Sequence, residues 1–221
     1  MLSMGTEKRE RAVKTSTAIR REQIVTAALD LVGARGIKAL TITAVAAEIG
    51  VVPSAIYRHF KGKGEVIDAI VELIGNRVQS NIKTVCAEAE DAVERLRLLH
   101  ARHIRMIREN NGIPRLIFSE DICDAQTENG SKERLYAIIQ AYRRGVAEIV
   151  REGQERGTLR SDIAPEAVSL MFLGLIQPVA FLHHISDGAF DVPLETERSW
   201  HLFCRLIRPK PEMRCEEGAN M

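Results

Sequence analysis

The side chains best suited to chemistry in this chain lie in residues 41–63, TITAVAAEIGVVPSAIYRHFKGK. Arg58 and Lys63 carry positive charge, and Tyr57 brings a hydroxyl group and an aromatic ring. A guanidinium pairs with the two acceptors on a guanine edge or binds phosphate, and an ammonium suits phosphate. A tyrosine donates to phosphate and packs its ring on a sugar or a thymine methyl group. The chemistry that this stretch predicts is therefore noncovalent recognition of DNA.

Two short helices joined by a tight turn are the elements that must position these side chains. Thr41 is suited to cap the first helix, and Pro53 suits the first turn of the second. Between them, Gly50 permits a left-handed backbone at the turn, and Ala46 is small enough to let the helices cross closely. This pattern is typical of a helix-turn-helix motif, whose second helix enters the major groove of DNA.

The predicted DNA contacts lie on the exposed side of this motif and at the start of the next helix, where backbone N–H groups also favour phosphate. They are Thr41, Thr43, Pro53, Ser54, Tyr57, Arg58, His59 and Lys63. Phe60 is expected to pack inside instead. For the polar members of this set, the alternative is an ordinary solvated face.

The distribution of charge along the chain supports the same partner. Residues 1–63 hold 11 lysines and arginines against 5 acidic residues, whereas residues 64–221 hold 20 against 25. A basic N-terminal segment joined to an acidic remainder indicates a polyanionic partner that binds the N-terminal segment alone. Four basic residues near the N-terminus fit either a DNA-binding arm or a solubilising tail. They are Lys8, Arg9, Arg11 and Lys14.

Helical periodicity runs through nearly the whole chain, and strand alternation is weak. Apolar residues make up 45% of the 221 residues, which allows a substantial core. No apolar run is long enough to span a membrane, and the charged N-terminus MLSMGTEKRE does not resemble a secretory signal. Four widely spaced cysteines, without a Cys-x-x-Cys pair, indicate free thiols in a reducing cytoplasm.

Residues 165–186 are apolar nearly all round, which predicts a helix buried on several sides. We expect this helix to cross the domain centre and to join a dimer interface, with Gly174 allowing close approach and Pro178 causing a kink. The helix that follows would complete a four-helix bundle across the dimer. The predicted interface residues are Phe172, Leu175, Val179, Leu182, Trp200 and Phe203.

Residues 24–67 resemble the DNA-binding domain of TetR-family transcriptional regulators. The resemblance rests on Thr41, Val45, Ala46, Gly50, Val51, Ala55, Ile56, Tyr57, Arg58, His59, Phe60, Lys63 and Glu65. It implies a cytoplasmic homodimer, usually a repressor, that leaves a palindromic double-stranded DNA operator when a small-molecule effector enters the C-terminal domain. It also adds Ala55 to the predicted DNA contacts. Val52 departs from the pattern, because the family often has Ser or Thr there to cap the second helix of the motif.

The predicted fold is all-α with about nine helices. A flexible basic arm (1–17) precedes a three-helix helix-turn-helix domain (18–64), and a larger helical domain for ligand binding and dimerisation (65–208) is followed by a disordered tail (209–221). The resemblance implies that helices five to eight enclose the ligand pocket. Its predicted lining is His103, Met106, Ile113, Leu116, Phe118, Tyr142, Met171 and Gln177, with ordinary core packing as the alternative for each.

Signals for other functions are weak. No Ser/His/Asp set, nucleophile elbow, Gly-rich phosphate loop or His-Glu-x-x-His motif is present, so we predict neither an enzyme nor a cofactor. His100 and His103 are three apart on one predicted helix, but a zinc site needs more ligands, so no metal is predicted. The chief alternative to an effector-controlled repressor is a DNA-bound scaffold that recruits a protein partner. A helical enzyme or metal-binding protein with an incidental helix-turn-helix is the third hypothesis.

Overall fold

A computed structural model of the chain describes residues 20–119, 122, 130–186 and 189–209. The predicted N-terminal arm, and all but the first residue of the predicted C-terminal tail, lie outside these ranges. Within them the backbone forms nine α helices, one short 3-10 helix and no strand. The predicted all-α class is therefore confirmed, as is the predicted number of helices.

The helices are named α1 to α9 in chain order. They are α1 (20–35), α2 (Ile42–Glu48), α3 (Pro53–Tyr57), α4 (Lys63–Glu88), α5 (Ala92–Glu109), α6 (Gly112–Ile117), α7 (Ser131–Glu155), α8 (Pro165–Ile185) and α9 (Val192–Ile207). The 3-10 helix spans Ile37–Ala39. Helices α1 to α3 form the N-terminal helix-turn-helix unit, and α4 continues directly from it into the larger bundle.

Two glycines let α4 and α7 cross at short range in the larger bundle. A Cβ atom placed on Gly75 of α4 would lie 2.7 Å from the side chain of Ile138. One placed on Gly145 of α7 would lie 2.6 Å from the side chain of Ile82. Each glycine therefore receives an isoleucine side chain from the facing helix, which fixes α4, the helix that continues from the DNA-binding unit, against the bundle core.

Helix α8 lies at the centre of the bundle and contacts α5, α6, α7 and α9. Its inner face buries Val168 and Ile176, whereas its outer face leaves Leu170 and Phe181 57% and 50% exposed. The helix continues through Pro178. Glu166, Ser169 and Gln177 interrupt its apolar run, so the sequence predicts no membrane span, yet by length and mean composition the helix is apolar enough to cross a membrane. The core helix of a soluble protein passes the same test.

The predicted interface residues on α8 and α9 are divided between buried and exposed positions. Phe172, Val179 and Phe203 are buried within the chain, so their side chains are not available to a partner. Leu182 is exposed, and Leu175 and Trp200 are half-buried. The exposed apolar side chains, here called the outer apolar face, are instead Leu170, Met171, Phe181, Leu182 and Ile185 on α8 and Leu194, Leu202 and Leu206 on α9. A helix that is apolar all round has no periodicity that separates its inner face from its outer face.

A buried histidine lies where α5, α8 and α9 meet. His100 is 3% exposed, and its ring stacks on Trp200 with 5.5 Å between the ring centres. Its Nε2 atom has no hydrogen-bond partner among the described residues. Burial lowers the pKa of His100 to about 4, because protonation would place a charge in this apolar cluster. The pKa of His103, one turn later, is lowered to about 4 by burial and then by His100.

Acid is expected to destabilise the fold before its carboxylates titrate. Both imidazoles are neutral in the folded chain, whereas the unfolded chain binds protons below the ordinary histidine pKa of 6.5. The free energy of unfolding therefore keeps its full value above that pH. It falls as the pH drops from about 6.5 to 4, by at most about 1.4 kcal/mol per pH unit for each histidine. Urea unfolding followed by circular dichroism at pH 7.5, 6.5 and 5.5 measures the trend. His100→Phe, which keeps the aromatic stacking, should flatten the slope; an unchanged slope would contradict this cause.

Candidate DNA-contact surface and interior cavity

The turn between α2 and α3 has the geometry that the sequence predicts. Gly50 adopts φ +67°, a left-handed conformation that favours glycine, and the Val51 amide donates to the Ala46 carbonyl at 2.9 Å. The Thr41 hydroxyl caps α2 by accepting the Ala44 amide at 3.1 Å. These bonds fix the angle at which α3 leaves the turn.

Helix α3 buries one side and exposes the other. Ile56 is fully buried, while Val52, at the N-cap, is 64% exposed and supplies no side-chain cap, as its residue type predicts. The predicted DNA contacts lie at the start of α2, along and just after α3, and at the start of α4. Thr41, Thr43, Pro53, Ser54, Tyr57 and Arg58 are exposed, and Ala55, His59 and Lys63 are half-buried. These nine residues are called the DNA-contact surface below.

The end of α3 is held from outside by a residue of α1. Arg21 donates from Nη1 to the His59 carbonyl at 3.0 Å, and its guanidinium lies 4.2 Å from the centre of the Phe60 ring. Phe60 is 1% exposed, as predicted for a packing residue. The sequence predictions miss Arg21, because no local pattern links it to a carbonyl 38 residues away. This contact, the Arg21 clamp, ties α1 to the DNA-contact surface.

The junction between α3 and α4 is closed by Glu65. Its carboxylate accepts the Lys61 amide at 2.8 Å and lies 3.7 Å from the Lys61 ammonium nitrogen. The N-cap residue Gly62 supplies no side-chain cap, and the Glu65 carboxylate instead holds the Lys61 amide, which precedes the N-cap. The N-terminal end of α4 begins at Lys63, and there the helix dipole favours an anion.

A cavity of about 100 Å³ lies between α4, α5, α6, α7 and α8. Its lining is Ile74, Val78, His103, Met106, Ile107, Ile113, Pro114, Ile117, Phe118, Leu135, Ile138, Ile139, Tyr142, Leu173, Ile176, Gln177 and Ala180. Six predicted lining residues belong to this set, which also includes Ile74 and Val78 of α4, a helix outside the predicted enclosure. Leu116 is buried outside the lining, and Met171 is 47% exposed on the outer face of α8.

The cavity contains one polar pair in an apolar wall. His103 Nδ1 lies 3.1 Å from the Tyr142 hydroxyl, and the two rings meet edge to face. Burial raises the pKa of Tyr142 and lowers that of His103, so both side chains are neutral at physiological pH. Gln177 and Phe118 also line the cavity and are exposed to solvent, which places its opening beside them.

The histidines and cysteines considered for metal or thiol chemistry lie partly within the residues that the structure describes. No group of three or more His, Cys, Asp or Glu side chains within that part is arranged to hold a metal ion. His100 and His103 face different surroundings, the aromatic cluster and the cavity. Burial raises the pKa of the Cys86 and Cys204 thiols, which disfavours the reactive thiolate. Cys123 and Cys215 lie outside the described residues.

Two family models match the two parts of this architecture. Residues 24–70 match the bacterial regulatory proteins of the tetR family, and residues 89–181 match the tetracyclin repressor-like C-terminal domain. The chain belongs to the TetR family. It is therefore a DNA-binding transcriptional regulator, and the family predicted from the sequence is confirmed.

Curated relatives of this TetR-family chain include nucleoid occlusion factors. SlmA of Vibrio vulnificus is 24% identical over 191 residues, which cover 86% of this chain and 96% of SlmA. SlmA of Escherichia coli is 28% identical over 160 residues, which cover 71% and 81%. At these sequence identities, the role of the relatives is not assigned to the present chain.

Solved structures share the fold at lower identity. FadR from Bacillus subtilis, in complex with stearoyl-CoA, has a TM-score of 0.70 at 19% identity and covers 85% of this chain and 99% of its own. A TetR regulator from Chloroflexus aurantiacus has a TM-score of 0.72 at 18% identity, covering 89% and 100%. The likeness establishes the TetR fold, with its N-terminal helix-turn-helix and larger helical domain.

Changing the two N-caps of the motif should shift its stability in opposite directions. Val52→Ser adds the missing side-chain acceptor at α3 and should stabilise the chain by about 0.5–1 kcal/mol, whereas Thr41→Ala removes the α2 cap and should cost about 1 kcal/mol. Urea unfolding measures both. Thr43→Ala, which removes an exposed hydroxyl from the same helix, is the control. Equal stability of all three variants would contradict this assignment of the caps.

Proposed function

We propose that this chain is a homodimeric, cytoplasmic repressor that binds a palindromic DNA operator and is released by a small-molecule effector. The observation that carries the proposal is the combination of two features in one chain. Six of the nine residues of the DNA-contact surface are exposed, and an apolar cavity lies in the larger helical domain. The first feature supports operator binding, and the second supports control by a ligand.

Specific reading of DNA is assigned to α3. Tyr57 and Arg58 are exposed at its C-terminal end and, with Ser54, face away from buried Ile56. Arg58 reads a guanine edge, where a guanidinium makes two parallel hydrogen bonds. Lys63 lies at the α4 N-terminus and binds phosphate, which fixes position without reading sequence. Thr41 and Thr43 bind the backbone from the start of α2.

The outer apolar face supports dimerisation. Eight large apolar side chains stay exposed on α8 and α9 of the single chain, and Gly174 between them leaves open space for a facing helix. An apolar surface of this extent is typical of a protein–protein contact. Pairing two copies through it produces two-fold symmetry, which matches a palindromic operator with half-sites about one helical turn apart.

The cavity restricts the chemistry of the effector. Its described lining carries no charged side chain, and burying an unpaired charge costs several kcal/mol. The buried part of the effector is therefore uncharged and mainly apolar, with one polar group that bonds to the His103–Tyr142 pair. Any charged group stays at the opening beside Gln177. Since ligand sites commonly measure about 300–1,000 Å³, the present cavity must widen when it is filled.

A second candidate is a DNA-bound scaffold without a small-molecule switch. The similarity to nucleoid occlusion factors over most of the chain favours it, because their name describes a role at the nucleoid. In that case the cavity is an incidental packing defect. The two candidates share the DNA-contact surface and the dimer, and differ in whether filling the cavity changes DNA binding.

Arg58→Ala and Lys63→Ala are expected to weaken DNA binding in different ways. Arg58→Ala should reduce the preference for the operator over unrelated DNA by about 1–3 kcal/mol. Lys63→Ala should weaken all sequences similarly and reduce the salt slope by about one unit, because the variant neutralises one phosphate fewer. Gel shifts over a salt series, with operator selected on the wild-type chain, measure both. Identical behaviour of the two variants would contradict the division of roles.

Neutral apolar compounds are expected to stabilise the wild-type chain and to release operator. A thermal-shift panel of straight-chain alcohols and matched fatty acids tests the chemistry, since a bound ligand should raise the melting temperature by about 2–4 °C for each kcal/mol of linkage. Ala180→Leu, which adds volume inside the cavity, should abolish the shift because it takes up the space that the ligand needs. A panel that neither stabilises the chain nor releases DNA would favour the scaffold.

A further inference from the structure

A polar groove, here called the arginine groove, lies between α4 and α5 and is open to solvent. It measures about 640 Å³. Its lining is Arg77, Ser80, Asn81, Arg102, Arg105, Met106, Glu109 and Asn110. The groove shares Met106 alone with the lining of the interior cavity, and it shares no residue with the DNA-contact surface. It is therefore a separate feature of the larger domain.

Helical spacing brings the charged side chains of this groove together. Arg102, Arg105 and Glu109 follow one another at intervals of three and four residues along α5, which places them on one face. Arg77 and Asn81 are four apart on α4 and share a face in the same way. Like charges at i, i+3, as in Arg102 and Arg105, destabilise a helix unless an opposite charge lies beside them.

The protein neutralises these guanidinium groups only in part. Arg102 donates from Nη2 to both carboxylate oxygens of Glu88, at 2.7 and 2.6 Å. Arg77 donates from Nη1 to the side-chain oxygen of Asn110, a neutral acceptor, at 3.4 Å. The exposed Arg105 guanidinium makes neither an ion pair nor a hydrogen bond within the residues that the structure describes. Two of the three arginines therefore have no carboxylate partner in that part of the chain.

We propose that the arginine groove binds a small anion that carries two or more phosphate or carboxylate groups. The planar guanidinium matches the oxygens of either group and forms two parallel hydrogen bonds with it. Arg77 and Arg105 bind the anion, and the amide of Asn81 and the hydroxyl of Ser80 supply neutral donors in the same lining. The inference goes beyond the proposed function, because it requires neither an operator nor an occupied cavity.

The size and the lining of the groove favour a small anion over a protein segment. From Arg102 to Glu109, α5 rises about 10 Å, which is the length of about three extended residues. Met106 is the one apolar side chain in the described lining, whereas a docked protein segment relies on apolar anchors. The described lining also offers no aromatic ring on which a nucleobase could stack.

Glu109 sets a limit on the affinity for anions. Its carboxylate lines the same groove as the three arginines and forms no ion pair within the described residues. A negative charge in this position repels a bound anion. Glu109→Gln should therefore strengthen anion binding about twofold or more, the opposite of the effect expected from the loss of an arginine.

Isothermal titration calorimetry of the full chain with pyrophosphate, and separately with citrate, tests the proposal. The wild-type chain should bind at least one of them, with an affinity that falls as sodium chloride is raised from about 50 to about 500 mM. The two titrations distinguish a phosphate ligand from a carboxylate ligand. Arg105→Gln should weaken the binding about fivefold or more, because it removes a charge-assisted pair of hydrogen bonds.

Arg108→Gln is the matched control. It removes the same charge from an exposed position of α5 that does not line the groove, so its affinity should stay within about twofold of wild type. Absence of binding of both anions to the wild-type chain would overturn the inference. So would an equal effect of Arg105→Gln and Arg108→Gln, which indicates a response to net charge alone, or an unchanged affinity in Arg105→Gln, which places the anion elsewhere. No DNA is present, so the result is independent of operator binding.

Discussion

The proposed recognition of DNA depends on contacts from neighbouring elements that hold a very short helix, α3, in place. Helix α3 spans five residues, too few to be stable alone in water. Its position comes from the left-handed turn at Gly50, the complete burial of Ile56 and the Arg21 clamp at its end. None of these three contacts uses an exposed side chain of the DNA-contact surface. Those side chains therefore remain available to double-stranded DNA.

The same dependence explains how an event inside the larger domain can reach DNA. Because α3 packs against its neighbours, we propose that movement of α1 or α4 also moves the side chains of the DNA-contact surface. Helix α4 lines the cavity through Ile74 and Val78, and α6 meets α1 at Gly112. Allosteric coupling of about 1–3 kcal/mol is typical of regulators.

Local patterns in the sequence were sufficient to predict the helix-turn-helix. Thr41, Gly50 and Pro53 act through their own backbone within a few residues, so their roles are visible in the sequence. The Arg21 clamp and the Gly33–Gly112 contact join distant parts of the chain, and no spacing rule predicts them. The sequence also could not predict which face of α8 is exposed. Met171 and Phe172 are both apolar residues in a helix that is apolar all round, although Met171 is exposed and Phe172 is buried.

The central claim is that two copies, joined through the outer apolar face, present their DNA-contact surfaces to one side of a duplex. Sedimentation equilibrium of the wild type and of a Phe181→Asp variant, each with and without operator, tests it most directly, since Phe181 is exposed on that face. The account predicts a wild-type dimer that binds one operator as a pair, and a folded variant that is monomeric and loses operator affinity. A monomeric wild type that still binds the full operator, or a variant that remains dimeric, would contradict it.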